Sequence, residues 1–206
     1  EVVTAAAVAR ADVAAAALQA AGAGVLDRGP STLVTWTADD PEAVVARAGI
    51  EPTLQVTCRD RNRLAVTADL LGAWALGARS VLCLSGDPMH VGDEPQAISV
   101  NDLSVLEVVA AVRRMRDEGV TAGGAELSSP PRYLIGVAEM PLADPYDPAR
   151  LEQKLDAGAE VVWTQIAYDV EALAAWAEAA RARGVFERAS VIVGLVPLRT
   201  AKGARF

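Results

Sequence analysis

Short runs of β-branched and aliphatic residues alternate along the chain with longer alanine-rich stretches whose apolar positions recur at helical spacing. The β-type runs fall at 1–4, 32–37, 53–58, 80–84, 133–138, 161–166 and 190–196. Seven such units, each a strand followed by a helix, predict a parallel sheet covered by helices. Runs such as "SVLCL" and "SVIVGLV" are apolar at nearly every position, not at every second one. Strands of that kind are buried on both faces, as in a closed or doubly covered parallel sheet.

Helix ends are marked as well. Asp40-Pro41, Asn101-Asp102 and Asp147-Pro148 each join a capping side chain to a residue suited to a first turn. Gly49, Gly77, Gly119, Gly158 and Gly184 stand where helices should close. The segment 120–132, rich in Gly, Ser and Pro and without periodicity, reads as a flexible loop on the rim opposite the strand tips.

Two architectures fit this alternation, a (β/α)8 barrel and an open doubly wound sheet. Thr35, Thr57-Cys58-Arg59, Asp87, Glu139 and Gln165 all lie at the C-terminal ends of separate strands. A barrel builds its active site from many such ends, whereas an open sheet concentrates its site at one switch point. The expectation is therefore an α/β TIM-type barrel, parallel strands inside and helices outside, formed as a single domain over 1–206. The fold typically needs about 250 residues, and the sequence ends at "AKGARF", where the helix after the seventh strand should begin. An eighth unit is expected to be absent, through truncation or disorder.

Composition narrows the function. The 206 residues are 52% hydrophobic, enough for one well-buried core. A net charge of -8 opposes general affinity for nucleic acid, so an anionic ligand must find a local basic cluster. Cys58 and Cys83 both fall inside predicted strands, which suggests neither a disulfide framework nor a Cys-rich metal site and suits reduced thiols in a cytoplasmic protein. The Ala- and Val-rich start is cut by Arg10 and Asp12, unlike a signal peptide or membrane span, and no membrane partner is expected.

Candidate chemistry concentrates in "TLQVTCRDRNRLAVTADLLGAWALGARSVLCLSGDP". Arg59, Arg61 and Arg63 follow a strand at the start of a helix, where backbone N–H groups also favour an anion; ion pairing with Asp60 is the competing reading. Asp87, in Gly-Asp-Pro, is either a turn acid or a rim carboxylate facing a ligand. Gln165 ends another apolar strand with an amide able to donate and accept together, as a pterin or pyrimidine edge requires; a structural amide is the alternative. Asp169 reads as a helix cap with Glu171 behind it. His90, the sole histidine, has no His or Cys partner that would make a zinc site. The "GAG" at 22–24 opens no helix after a strand and is no dinucleotide fingerprint. Trp74, Trp163 and Trp176 suit packing, and Trp36 lies nearest a strand end.

Together these motifs resemble the methylenetetrahydrofolate reductase family. "QVTCRDRNR" is similar to its Thr-Cys strand end, "VLCLSGDP" to its Gly-Asp strand end, "KLDAGAEVVWTQIAYD" to its Lys-x-x-Ala-Gly-Ala…Thr-Gln…Asp signature and "SVIVGLVPL" to the strand that follows. The likeness runs in order from about residue 50 to the end. It implies a barrel that binds FAD, takes a hydride from NADH or NADPH and reduces methylenetetrahydrofolate to methyltetrahydrofolate in the same pocket. On that likeness Asp87 lies near pterin and flavin and favours the cationic iminium form of the substrate, Gln165 hydrogen-bonds the pterin, and Glu1 matches the general acid that protonates the amine nitrogen as the imidazolidine ring opens. Flavin contacts carry over to Thr35, Thr57, Leu84, Ser85, Gly86, Asp147, Arg150 and Lys154, the lysine being suited to the pyrophosphate. The sequence departs from the family's pattern at Gln55, Ser85, Met140 and Asp144, where His, Arg, Tyr and His are usual, and at Gly203, near the place of a second folate-binding Gln. These departures leave FAD, FMN and no flavin all open. They also leave open a divergent folate-dependent one-carbon enzyme, a folate-binding partner subunit, or a homo-oligomer.

Overall fold

The structure is a computed structural model that describes residues 53–91 and 94–195, together with the backbone of 24–28 and 31–35. The chain divides into two compact units, one of them Thr53–Leu195. In the other, strands β1 (Gly24–Arg28) and β2 (Ser31–Thr35) pair antiparallel. The run at 32–37 was expected to join the parallel sheet. It pairs instead with the preceding "GVLDR", a segment whose strand character the sequence reading missed. The expected strand at 1–4 lies outside the described residues.

Thr53–Leu195 carries five parallel strands, β3 (Thr53–Thr57), β4 (Ser80–Leu84), β5 (Leu134–Glu139), β6 (Val161–Thr164) and β7 (Ser190–Ile192). Their order in the sheet is the order of the chain, β3-β4-β5-β6-β7. A doubly wound sheet would reverse direction at a switch point. An unbroken order is that of a (β/α) barrel wall, which decides between the two architectures the sequence allowed.

Four helices return the chain from one strand to the next: α1 (Arg63–Ala75), α2 (Val105–Asp117), α3 (Pro148–Ala157) and α4 (Val170–Ala182), with the single turn α5 (Val185–Arg188) before β7. Asp147 caps α3 and Pro148 opens it, as the sequence indicates, and Asp169 caps α4. Gly77, Gly119, Gly158 and Gly184, each with positive φ, follow α1, α2, α3 and α4. Asn101-Asp102 does not cap a helix. Asp102 is taken by Arg63, and Ser104 caps α2 through a capping box with Glu107. The segment 120–132 follows α2 on the N-terminal rim as expected, but it is a closed turn and not an open loop. Val120 bridges Glu126, and the Thr121 N–H donates to the Ala125 carbonyl at 2.9 Å.

The core lies between the sheet and its helices. Val81, Cys83, Ile135, Val137 and Val162 from the strands meet Val66 and Leu70 of α1, Val108, Val109, Val112 and Met115 of α2, and Leu151 and Leu155 of α3. Burial on this scale supplies the main favourable free energy of the unit. Tyr133 closes the N-terminal end, its hydroxyl donating to the Leu70 carbonyl at 2.6 Å while Trp74 meets its ring edge-on. Trp176 is buried, so two of the four tryptophans take the packing role expected of them. Both cysteines are free thiols. Burial raises the pKa of Cys58 and pushes Cys83 up to about 12, which favours the protonated thiol at both.

Candidate active site

The parallel register places the C-terminal ends of β3 to β7 along one edge of the sheet, and the loops that leave them carry most of the residues singled out in the sequence. β3 ends at Thr57, whose hydroxyl donates to the Asp60 carboxylate. Cys58 continues the ladder, its N–H donating to the Leu84 carbonyl at 3.2 Å. Arg59 then crosses to the tip of β4 and donates from Nη1 to the Asp87 carbonyl at 2.9 Å. Its aliphatic stem lies so close to Gly86 that a Cβ there would stand 2.9 Å from the Arg59 Cβ, and Gly86 itself has a φ of +84°. Glycine is needed at this turn for both reasons. The Arg59 carbonyl accepts the Val100 N–H at 2.6 Å, which ties the long loop after β4 to the same corner.

Thus held, Asp87 is exposed, and no described residue partners its carboxylate. Ser85 is exposed beside it. The other two arginines do not form an open anion site. Arg61 pairs with Asp60 and Asp69, and Arg63 makes a two-pronged pair with Asp102 at 2.9 and 3.0 Å. The ion-pair reading of this cluster is the one the geometry bears out.

Gln165 follows β6, the second neighbour of β4 in the sheet. Its N–H donates to the Glu139 carbonyl at 2.6 Å, which extends the β5–β6 ladder and fixes where the side chain starts. The side chain is exposed, its Oε1 accepting the Ile166 N–H at 3.2 Å and its amide NH2 engaged by no described residue. With one strand between them, the β4 and β6 tips lie about 10 Å apart across the sheet. Gly194, after β7, approaches this corner closely: a Cβ there would stand 2.7 Å from the Thr164 carbonyl oxygen, and its N–H donates to Thr164 Oγ1 at 3.0 Å. The same loops expose apolar side chains, Ile98 and Val100 after β4, Met140 and Leu142 after β5, Ile166 and Tyr168 after β6. An acid, an amide and an apolar surround on one rim suit a flat, polar-edged ring system.

Between the two tips, β5 ends differently. Glu139 is 4% exposed, and its Oε2 accepts from Lys154 Nζ of α3 at 2.8 Å. The same ammonium donates to the Ala138 carbonyl at 2.7 Å. Tyr146 lies beside this pair, its hydroxyl accepting the Trp176 indole N–H at 2.9 Å. Burial pushes the Tyr146 phenol up to about 12, with the Glu139 charge adding to the rise. Asp147 uses Oδ1 to accept the Ala149 N–H at the start of α3, and Arg150 stands exposed 3.8 Å from its carboxylate. Sequence reasoning marked Glu139 as a rim residue but gave it no role. The pairing with Lys154, fifteen residues on, depends on how α3 lies against β5.

These positions test how well the chain fits a flavin. Leu84, Ser85 and Gly86 form an open strand end able to lie against a ring. Lys154 and Arg150, the two cations that the family resemblance implies for the cofactor, each already face an acid, and the lysine does so in a largely buried pair. The phosphate end of a flavin site is therefore not met by these residues as they stand. Glu1 lies outside the described residues, and Thr35 is described by its backbone alone. Among the described residues no three His, Cys, Asp or Glu side chains could hold a metal ion, and no helix is long and apolar enough to cross a membrane.

Comparison with known proteins bears on the same residues. The chain is 26% identical over 156 residues to a probable methylenetetrahydrofolate reductase (NADH) of Oryza sativa, covering 75% of this chain and 26% of that protein. It is 26% identical over 171 residues to a probable methylenetetrahydrofolate reductase (NADPH) of Caenorhabditis elegans, 80% of this chain and 23% of that one. A 5,10-methylenetetrahydrofolate reductase of Pectobacterium carotovorum is 24% identical over 167 residues, 78% of this chain and 48% of its own. The matches thus span from about a quarter to about half of these relatives. A sequence model of the family described as methylenetetrahydrofolate reductase matches residues 16–206. With parallel strands in barrel order and an acid and an amide on one rim, the chain belongs to the methylenetetrahydrofolate reductase family.

Proposed function

We propose that the chain reduces 5,10-methylenetetrahydrofolate to 5-methyltetrahydrofolate at the C-terminal rim of the sheet, with a reduced pyridine nucleotide as the source of electrons. The observation that carries this reading is the pairing of a carboxylate that no described residue partners, Asp87, with an exposed amide, Gln165, at strand tips one strand apart. In the reaction, N10 takes a proton, its bond to the bridging methylene breaks, and a cationic iminium forms at N5. Addition of a hydride to the iminium carbon leaves the methyl group, so the net consumption is one NAD(P)H and one proton.

The residues divide that work. Asp87, fixed through its backbone by Arg59 and with its carboxylate engaged by no described residue, stabilises the positive charge that develops at N5. Gln165 presents an amide to the polar edge of the pterin, and because its backbone is tied to Glu139 its position is set by the sheet. Apolar side chains of the rim loops exclude water from the iminium, which water would otherwise hydrolyse. Glu1 is proposed as the proton donor to N10. A flavin, if bound, would supply a relay for the hydride. Thr35, Thr57, Leu84, Ser85, Gly86 and Asp147 are the residues proposed to lie along it, and no step here depends on it. Curated relatives carry both NADH and NADPH in their names, which leaves either nucleotide as donor. A second reading, a folate-binding one-carbon enzyme or partner subunit with little flavin affinity, draws support from the occupied state of Lys154. We further propose that Thr53–Leu195 and the remainder of the chain belong to one barrel.

Binding of 5-methyltetrahydrofolate to the purified protein tests the folate pocket. Gln165→Ala should weaken it about tenfold, the loss of one or two hydrogen bonds. Unchanged affinity would remove Gln165 from the site.

A further inference from the structure

We propose that Glu139 withdraws Lys154 from anion binding, so that the chain holds a flavin weakly while its folate pocket stays open. The inference rests on the folate reading above and goes beyond it by assigning cofactor affinity to one side chain.

Lys154 projects from α3 toward the end of β5, where a cation could meet a pyrophosphate. Its ammonium is committed to two acceptors, Glu139 Oε2 at 2.8 Å and the Ala138 carbonyl at 2.7 Å. The side chains are 17% and 5% exposed, so the pair sits where water screens it poorly and where either charge left alone would be costly. A pyrophosphate would have to pull the lysine from its acid and then remain beside a carboxylate of like charge. The neighbours do not compensate. Tyr146 is a neutral phenol, and Arg150 stands beside Asp147. Met140, the next residue of the same strand end, is 60% exposed and offers no aromatic face to a flavin ring. In contrast, the Glu139 backbone supports the folate end by accepting the Gln165 N–H. One residue therefore braces the amide while disabling the cation.

Titration of the purified protein with FAD, followed by flavin fluorescence, decides the matter alongside titration with 5-methyltetrahydrofolate. Glu139→Gln keeps the shape and removes the charge, and it should bind FAD at least tenfold more tightly than the wild type. Adding Lys154→Met to that variant should abolish the gain. The double variant leaves no unpaired buried charge and should bind FAD within about twofold of the wild type, because the wild-type lysine is already occupied; this arm decides the question alone if Glu139→Gln does not fold. Stoichiometric flavin in the wild-type protein as purified, no gain in Glu139→Gln, or a tenfold loss relative to the wild type in the double variant would each overturn the proposal. Wild-type protein that binds no 5-methyltetrahydrofolate would count against the folate reading, and the FAD titrations would still decide the role of Glu139.

Discussion

The tips of β4 and β6 leave the side chains proposed for the site unspent, whereas the tip of β5, between them, has consumed its own. Asp87 and Gln165 are exposed, held by their backbones and nearly unpartnered at their side chains. Glu139 and Lys154 are largely buried and satisfy each other. The difference separates two uses of polar groups. A group meant for a ligand must be positioned by something other than its own side-chain bonds. A group that completes an internal pair contributes to the fold and is lost to chemistry.

The largest stability effect should therefore come from the β5 end. Glu139→Ala leaves a mostly buried ammonium without its acid and should cost about 3 kcal/mol in urea unfolding. Asp87→Ala should cost less than about 0.5 kcal/mol. Equal costs would erase the distinction between the two tips.

A smaller loss is expected where the functional tip is shaped. Gly86→Ala places a Cβ in a left-handed backbone and 2.9 Å from the Arg59 Cβ, which should destabilise the protein by about 2 kcal/mol. It should also displace Asp87 through the Arg59 contact, so folate turnover should fall more than stability alone explains. A variant with unchanged turnover would show that this turn does not aim the acid.

The smallest effect concerns the base of the loop that follows β4. Hydrogen bonds from Arg63 hold the Asp102 carboxyl down at about 2. A depressed carboxylate contributes stability that is fully present above its unfolded pKa of ~3.9 and is lost as pH falls through about 2. Asp102→Asn should lower the Tm by about 2 °C or less at neutral pH, an exposed pair being worth little. That gap should close as the pH falls from about 4 to 2, and a gap that widens on acidification would contradict the assignment.

The barrel order was legible in the sequence because each strand is a short apolar run and each of α1 to α4 is closed by a glycine that the structure shows at positive φ. Asp147-Pro148 was legible for the same local reason. Asn101-Asp102 misled because Ser104, two residues on, offers the better cap once Glu107 completes the box, and because Arg63 claims Asp102 across the fold. The β1–β2 ribbon escaped notice because period and propensity identify a strand without naming its partner. At the proposed site, Asp87 and Gln165 stand out in the sequence as polar residues at the ends of apolar strands. That Lys154 is spent on Glu139 does not, since no local pattern relates a strand end to the second turn of the next helix.

Oxidation of NADH or NADPH by the purified protein, measured anaerobically with 5,10-methylenetetrahydrofolate as acceptor and compared with Asp87→Asn, tests the assignment of the rim most directly. The expected result is one 5-methyltetrahydrofolate formed per nucleotide oxidised, with turnover falling about 100-fold in the variant while its melting temperature stays that of the wild type. A variant that turns over at the wild-type rate would contradict the role given to Asp87, and a wild-type protein that neither binds nor reduces the folate would contradict the site.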